Sequence, residues 1–476
     1  MNAVTSFVDT FAQSIADRNA AIFAGAGLSI PAGMVNWKTL MRNIAHDVGL
    51  DVAKEDDLVA LAQYHVNKSG VRHKINQALV TEFSERAKAT RNHAILASLP
   101  IRTYWTTNFD HLIEDALRAA GKKPDVKSSV ANLATTRHLR DSIVYKMHGD
   151  VDHPDDAVIT KDDYETYHTY RQLFSTALQG DLVSKTFLFV GFSFNDPNLN
   201  YILGRIRTLL GVNQRQHYAL LRRVQRKDFP SARLYTYAHA KQELQVQDLT
   251  RYGIQGVLVD EYKDYTEIFE RIARRYKRKR VFVSGGAQTY EPWAASAAET
   301  LVAGIGYALA KGKFGVVSGF GEGVGSPLLN GMLNGFDGDD SPQLGDQLTL
   351  RPFPLGIKDP VERKLRWTAY RRDMLTQAGI ALFVFGNKRS DSGDIVKSDG
   401  MEEEFKLAVE NNVAVIPVGC TGSMAAELHR RVMDDFEVYF PSQPRLKKYF
   451  RLLERKKTPD KVVKAIMDLI SVLKEE

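Results

Sequence analysis

A single cysteine, Cys420, in a chain of 476 residues rules out an internal disulfide and any zinc module built from several thiolates. Equally missing is an apolar run approaching the roughly 20 residues that a bilayer-spanning helix needs. The first residues, Met1 to Asp17, mix polar and acidic groups with apolar ones and lack the pattern of a secretion signal. With no membrane, secretory or disulfide features, a cytoplasmic location is expected. Neither sign of charge dominates: 64 Lys and Arg stand against 57 Asp and Glu, a net charge of +7. Much of that excess sits in the runs Arg274 to Arg280 and Lys447 to Lys457. No aromatic interleaving or helix-turn-helix pattern accompanies them, so solvated helix faces are expected and no nucleic-acid partner. Repeats and long low-complexity segments are lacking too. What remains is a globular composition, 44% hydrophobic and 25% charged, in a chain too long for one core, so two domains are expected.

Short apolar runs mark candidate core strands at Ala20 to Phe23, Arg102 to Thr106, Ile143 to Met147, Thr186 to Gly191 and Gly256 to Val259. Amphipathic helical stretches, Trp37 to Val48 and much of Asp56 to Arg91, lie between the first two. Strands alternating with long helices predict a parallel sheet covered on both faces. Ile268, Ile272 and Tyr276 then repeat at helical spacing, and a boundary is placed there, giving domains 1–275 and 276–476. A second alternation begins with Val281 to Val283 and runs through Phe314 to Ser318, Leu348 to Pro352, Ala381 to Phe385 and Val413 to Val418. Helices are predicted over Ala297 to Lys311 and Met401 to Glu410, and mobile loops over Gly335 to Asp346 and Arg389 to Gly400. The fold class is therefore α/β, with two doubly wound, Rossmann-like parallel sheets.

Four segments at predicted strand ends of the first domain carry side chains suited to chemistry. Gly25-Ala26-Gly27-Leu28-Ser29 follows a strand and precedes a helix. Glycines there let backbone approach a diphosphate, although such turns also occur without a ligand, and Ile30 stands where a dinucleotide fingerprint has its third glycine. Thr106-Thr107-Asn108-Phe109-Asp110 ends the next strand, where Asn108 or Asp110 could equally cap backbone amides. His148, in Lys146-Met147-His148-Gly149-Asp150, is either a packed histidine or a base. Gly191-Phe192-Ser193-Phe194-Asn195-Asp196-Pro197 closes the fourth strand as a small polar turn.

In their chain order, a glycine cradle, an Asn/Asp pair, a histidine and a Gly-x-Ser turn, these segments resemble the motifs of the sirtuins, and the likeness runs over residues 10 to 265. The resemblance implies that Ala24, Gly25, Ala26 and Ser29 line the phosphates and ribose of NAD+, and that Thr107, Asn108 and Asp110 surround the nicotinamide ribose. It implies His148 as the base, with Gly191 and Ser193 on the adenosine half and Asn195 among the residues that bind NAD+. Those residue types suit cleavage of the bond to nicotinamide. That group leaves neutral, so the site needs to hold the ribose, stabilise an oxocarbenium-like centre and position a nucleophile rather than supply an acid. Asn108 and His148 are the first candidates for catalysis. Deacylase sirtuins carry a four-cysteine zinc module, which one cysteine cannot build, and Met34-Val35-Asn36-Trp37 replaces their acidic-aromatic-arginine stretch. A domain with a helical insertion and no zinc module is expected, with no residue assigned to a metal, transferring ADP-ribose to water.

In the second domain Ser284-Gly285-Gly286 closes one strand, and Ser318 to Ser326, with Gly319, Gly321, Gly323 and Gly325 at alternate positions, closes the next. Glycines so spaced would waste packing inside a strand, and a nest of their amides suits an anion. Arg371 lies on a helix, Lys388 follows a strand end and Glu404 sits at a helix start; a solvated helix face and a helix-dipole role are the competing readings. The glycine-rich turn and the Glu404-Phe405 helix start resemble the SLOG family of nucleotide sensors and phosphoribohydrolases. Gly393 to Gly400 lacks the Pro-Gly-Gly-x-Gly-Thr of the hydrolases, so ligand binding is expected there rather than catalysis.

A sirtuin-like domain joined to a SLOG domain is similar, over nearly the whole chain, to the effector family of the Thoeris antiphage systems. That resemblance implies an NAD+ hydrolase activated by a cyclic ADP-ribose isomer, which a TIR-domain partner protein makes and which the SLOG domain binds. Ser284, Gly285, Gly286, Gly319, Gly321, Gly323, Gly325, Ser326, Arg371, Lys388 and Glu404 would grip it. It also implies a homo-oligomer, a tetramer in that family, with neither nucleic acid nor membrane as partner. A non-catalytic nucleotide-binding regulator and an NAD-dependent protein deacylase are the competing functions.

Overall fold

The computed structural model describes residues 3–83, 87–194, 196–336, 347–354, 356–390, 392–455 and 458–475. The chain divides into two compact units, Met1–Ala273 and Arg274–Glu476. In the first, seven strands form one parallel sheet: β1 (Ala20–Ala24), β2 (Thr103–Thr106), β3 (Pro124–Lys127), β4 (Ser142–Lys146), β5 (Thr186–Val190), β6 (His217–Arg222) and β7 (Ile254–Val259), in the order β3-β4-β2-β1-β5-β6-β7. From β1 the chain goes to β2 on one side and later to β5 on the other. The strand order therefore reverses at the β1–β5 boundary, where open α/β sheets form a crevice beyond their carboxyl ends.

The five expected strands are present within a residue or two of their predicted ends, but β3 and β6 were not foreseen. Edge strand β3 reads Pro-Asp-Val-Lys, and its two charged residues are buried because Lys127 Nζ pairs with Asp125 Oδ1 at 2.9 Å. Strand β6 opens on His217, whose ring is buried as an acceptor for the Phe187 amide at 3.2 Å. Central strands β1 and β5 are buried along their whole length, as befits strands covered on both faces. Between β1 and β2 the helices Arg42–Val48, Leu58–Ser69 and His73–Phe83 build a separate small core from Met41, Ile44, Leu61, Ile75 and Leu79, onto which Phe109 also packs. This insertion thus touches the loop that follows β2.

The second unit holds a parallel sheet of β8 (Arg280–Gly286), β9 (Gly315–Ser318), β10 (Leu348–Leu350), β11 (Ile380–Phe385) and β14 (Ala414–Pro417), in the order β10-β9-β8-β11-β14. Its reversal lies between β8 and β11. The segment Arg389 to Gly400 is not the mobile loop expected: β12 (Asn387–Arg389) and β13 (Ile395–Lys397) pair antiparallel as a hairpin, and the next helix already starts at Asp399. The other expected loop, Gly335 to Asp346, falls largely outside the described residues. Among the described residues no helix is long and apolar enough to cross a membrane.

Candidate active site

The site begins with a backbone contact at the crevice. Gly191 (φ +65°) leaves β5 directly against the turn that leaves β1, and a Cβ on it would lie 2.6 Å from Gly27 C and 2.8 Å from Gly27 Cα. Reciprocally, the Gly25 amide donates to Val190 O and the Gly27 amide to Gly191 O, each at 2.9 Å. Only glycine lets two turns interlock this closely. Above them opens a cavity of about 860 Å³. Of the expected residues, Ala26, Ser29, Thr107, Asn108, Asp110, His148, Gly191 and Ser193 line it. Ala24 and Gly25 do not: Ala24 is the last residue of β1, its carbonyl accepting from Thr106 Oγ1 at 2.9 Å, and the Gly25 carbonyl is taken by Asn108. Asn195 lies outside the described residues.

Asn108 is buried, and its Nδ2 donates to Gly25 O at 3.1 Å and to Ser29 Oγ at 3.0 Å. Both amide hydrogens being used, Oδ1 is the atom left to accept from a ligand hydroxyl. Asp110 caps the backbone with one oxygen, Oδ1 accepting from Leu112 N at 3.0 Å, while its buried Oδ2 has no hydrogen-bond partner. That oxygen is shielded from solvent, and an unpaired buried carboxylate oxygen is costly.

The turn bearing both side chains is fastened from below by Lys146. Fully buried, its Nζ donates to Phe109 O at 2.9 Å and Asp110 O at 2.6 Å, and stands 2.6 Å from Asp150 Oδ2 and 3.3 Å from Glu114 Oε1. Burial lowers the Lys146 pKa, but the Glu114 and Asp150 carboxylates outweigh it and raise the value, which keeps the ammonium charged. Burial likewise raises Asp150, yet His111, 2.8 Å away, and Lys146 hold it well below the ordinary carboxylate range.

His148 enters the cavity wall from beyond β4. Its Nε2 lies 3.0 Å from Asp196 Oδ2, and its ring meets Tyr164 edge to face at 5.5 Å. Asp196 also caps the helix Pro197–Leu210, Oδ1 accepting from Leu199 N at 2.8 Å. Burial raises the Asp196 pKa, but His148 and the hydrogen bonds to the carboxylate pull it below the usual value. Sequence reasoning missed Asp196 and Tyr164 as neighbours of the histidine, both of which line the cavity. Asp196-Pro197 reads simply as a helix start, which it also is. Reasoning from the motifs missed the outer wall as well, where the insertion contributes Trp37, Leu40, Leu58 and Phe83.

In the second unit the expected ligand residues gather at the carboxyl ends of β8, β9 and β11. Ser284 Oγ donates to Glu404 Oε2 at 2.5 Å; Arg371 Nη1 stands 2.8 Å from Glu403 Oε2, and its Nε 3.5 Å from Glu404 Oε1. Burial pushes the Glu404 carboxyl up, against the pull of Ser284 and Arg371. Arg371 is itself buried, its guanidinium 5.0 Å from the Phe353 ring centre, so the solvated-helix alternative does not hold for it; its neighbour Arg372 is exposed. Gly321 packs on the Gly285 carbonyl and Gly323 adopts φ +72°, with its carbonyl accepting from Tyr290 Oη at 2.8 Å. Gly319 packs against the Phe353 ring, Gly325 opens the helix Gly325–Gly335 and Ser326 is exposed beside it. Gly286 accepts the Gly386 amide at 3.0 Å, and exposed Lys388 pairs with Asp399.

Comparison with known proteins agrees with this two-unit arrangement. Residues 102–244 match the model of a SIR2-like domain, and residues 264–473 that of the Sir2- and TIR-associating SLOG family. The chain is 45% identical over 477 residues to NAD(+) hydrolase ThsA of Bacillus cereus (strain MSX-D12), covering 99% of both proteins. It is 45% identical to the protein of that name in Acinetobacter baumannii (strain 532279), covering 98% of each, and 44% identical to that of Enterococcus faecium, covering 98% of this chain and 99% of the other.

Proposed function

Since the chain belongs to the ThsA family of NAD(+) hydrolases, we propose that its first unit hydrolyses NAD+ to nicotinamide and ADP-ribose in the cavity between Asn108 and His148. The observation that carries this reading is the convergence of four strand-end motifs on one 860 Å³ space, with Asn108, Asp110 and His148 among the residues lining it. Asn108 Oδ1 accepts from a ribose hydroxyl, and Asp110 sets negative charge beside the carbon that becomes oxocarbenium-like as nicotinamide departs. His148 takes a proton from the attacking water or a ribose hydroxyl. Such a positioned base contributes on the order of 10²–10⁴ in rate. The glycine turns at 25–27 and 191 admit the rest of the dinucleotide to the backbone.

The second unit is the sensor in this proposal. A cyclic ADP-ribose isomer, made by a TIR-domain partner, binds among Arg371, Lys388, Glu404 and the glycine turns. It releases hydrolysis by favouring the active arrangement of a homotetramer, because a ligand shifts an equilibrium only through unequal affinity for its states. Depletion of NAD+ in an infected cell is the outcome. Incubation of purified protein with NAD+, with and without cyclic ADP-ribose isomers, tests the reading. Nicotinamide release stimulated by one isomer is expected; no release under any of them refutes it.

A further inference from the structure

Asp196 is bound twice, and the two contacts differ in kind. Oδ1 accepts the Leu199 amide at 2.8 Å, as any helix cap does. Oδ2 serves nothing in the helix: it lies 3.0 Å from His148 Nε2 and accepts from Tyr164 Oη at 3.4 Å. A serine, threonine or asparagine would cap the helix as well, and none of them would bring a second carboxylate oxygen to an imidazole. The pair is enclosed, with His148 at 2% exposure and the Asp196 side chain at 7%, so the interaction is scarcely screened by water.

We propose that Asp196 is the positioning residue of an Asp–His dyad, holding the proton of His148 on Nε2 so that Nδ1 is the basic atom presented to the substrate. This deepens the hydrolase reading and rests on it. Nε2 lies 3.0 Å from Asp196 Oδ2 without the alignment of a hydrogen bond, so the proton would be held there by a small turn of the ring toward the carboxylate; Nδ1 has no protein hydrogen bond among the described residues, and His148 lines the cavity. The step balances simply. Water oxygen bonds to the anomeric carbon of the ribose, the bond to nicotinamide breaks with its electron pair passing to the ring nitrogen, and the water proton passes to Nδ1. The resulting imidazolium is stabilised by the Asp196 carboxylate until the proton returns to solvent. Tyr164, on the helix Lys161–Glu165, keeps Oδ2 turned to the ring; burial and the neighbouring Asp196 raise its own pKa, so it remains a donor. The other titratable groups around this dyad are Tyr167, whose ring lies 6.4 Å from that of His148, and Asp110, Lys161 and Glu165 in the same cavity wall.

Asp196→Asn separates capping from positioning, because asparagine keeps the helix cap and the side-chain volume but offers its amide to Nε2, favouring the other tautomer. Nicotinamide release by this variant is expected to lose about 10²-fold or more in kcat, with an unchanged KM for NAD+ and loss of the acid limb of the kcat–pH profile. Parent-like kcat and pH profile would overturn the proposal and leave Asp196 a cap only. ¹⁵N NMR of histidine-labelled protein reads the dyad without any turnover, the His148 signal being assigned by its loss in His148→Gln. Above the histidine pKa, the parent is expected to carry the proton on Nε2; a proton on Nδ1 overturns the dyad. Should Asp196→Asn fail to fold, that spectrum and the smaller kcat loss expected of Tyr164→Phe decide the matter. A parent that releases no nicotinamide but shows the Nε2 proton would refute the hydrolase reading while leaving the dyad standing.

Discussion

Replacing Gly191 with alanine asks whether the interlocked turns create the site. The added Cβ would come within 2.6 Å of Gly27 C and 2.8 Å of Gly27 Cα, and against the Leu28 amide as well, where ordinary contacts exceed 3.4 Å. All of these are backbone atoms, so no side chain can swing aside and the turns must part. Three costs follow. An alanine held at φ +65° gives up about 1 kcal/mol. Parting the turns removes the Gly27 N–Gly191 O hydrogen bond, and leaving those groups buried without partners costs about 1–3 kcal/mol. Together these destabilise the first unit by about 2–4 kcal/mol, which lowers its melting temperature by roughly 4–16 °C at about 2–4 °C per kcal/mol for a domain of this size. Displacing the glycine turn also shifts Ser29 from Asn108, so activity falls with stability. Gly180 is the control: it lies in the helix Gln172–Ser184 with nothing within 4 Å of a Cβ, and Gly180→Ala is expected to stabilise by about 0.4–1 kcal/mol. Thermal melts by circular dichroism, paired with nicotinamide release, check both. A Gly191→Ala protein that melts with the parent would refute the reasoning, since the strain would then have been relieved without parting the turns.

Asn108→Ala and His148→Ala are expected to abolish nicotinamide release while leaving the circular dichroism spectrum unchanged; a variant as active as the parent removes that residue from the mechanism. Lys146→Met strands Asp150, Glu114 and two carbonyls in the interior, and breaking a buried ion pair in this way is expected to cost about 3–5 kcal/mol in denaturant titrations. The His111 pKa is raised in the fold chiefly by its hydrogen bond to Asp150, so the pair's stabilisation is complete below the unfolded value of about 6.5 and disappears as pH rises through the folded one. His111→Asn should accordingly cost more stability at acid pH than at alkaline pH, and an equal cost at both would contradict the pairing. Arg371→Ala removes charged hydrogen bonds of about 1.5–3 kcal/mol, and is expected to raise the concentration of cyclic nucleotide needed for half-maximal NAD+ consumption by about tenfold or more; an unchanged response would clear Arg371 of ligand binding.

Much of this fold can be read from residue order because the central strands announce themselves. Strands β1 and β5 are continuous apolar runs, since helices cover both their faces, and each passes into a glycine turn. Edge strand β3 is hidden because hydropathy counts Asp125 and Lys127 as surface residues, whereas their mutual pairing is what lets them be buried. Pairing across the sequence hides Arg371 in the same way: adjacent arginines on a polar helix suggest a wet face, and only folding brings Phe353, Glu403 and Glu404 around the first of them. Asn108 and His148 were legible as candidates only through the chain order of the four strand-end segments, because each alone reads equally well as a cap or a packed side chain. Asp196 was not, because its capping role already accounts for an Asp-Pro pair and its second oxygen finds His148 48 residues back along the chain.

The most direct examination is a structure of the His148→Ala chain at saturating NAD+. The nicotinamide ribose should lie against Asn108 and face position 148, with the diphosphate over the turn at residues 25–29. Dinucleotide bound elsewhere on the chain, with this cavity empty, would contradict the assignment of the site.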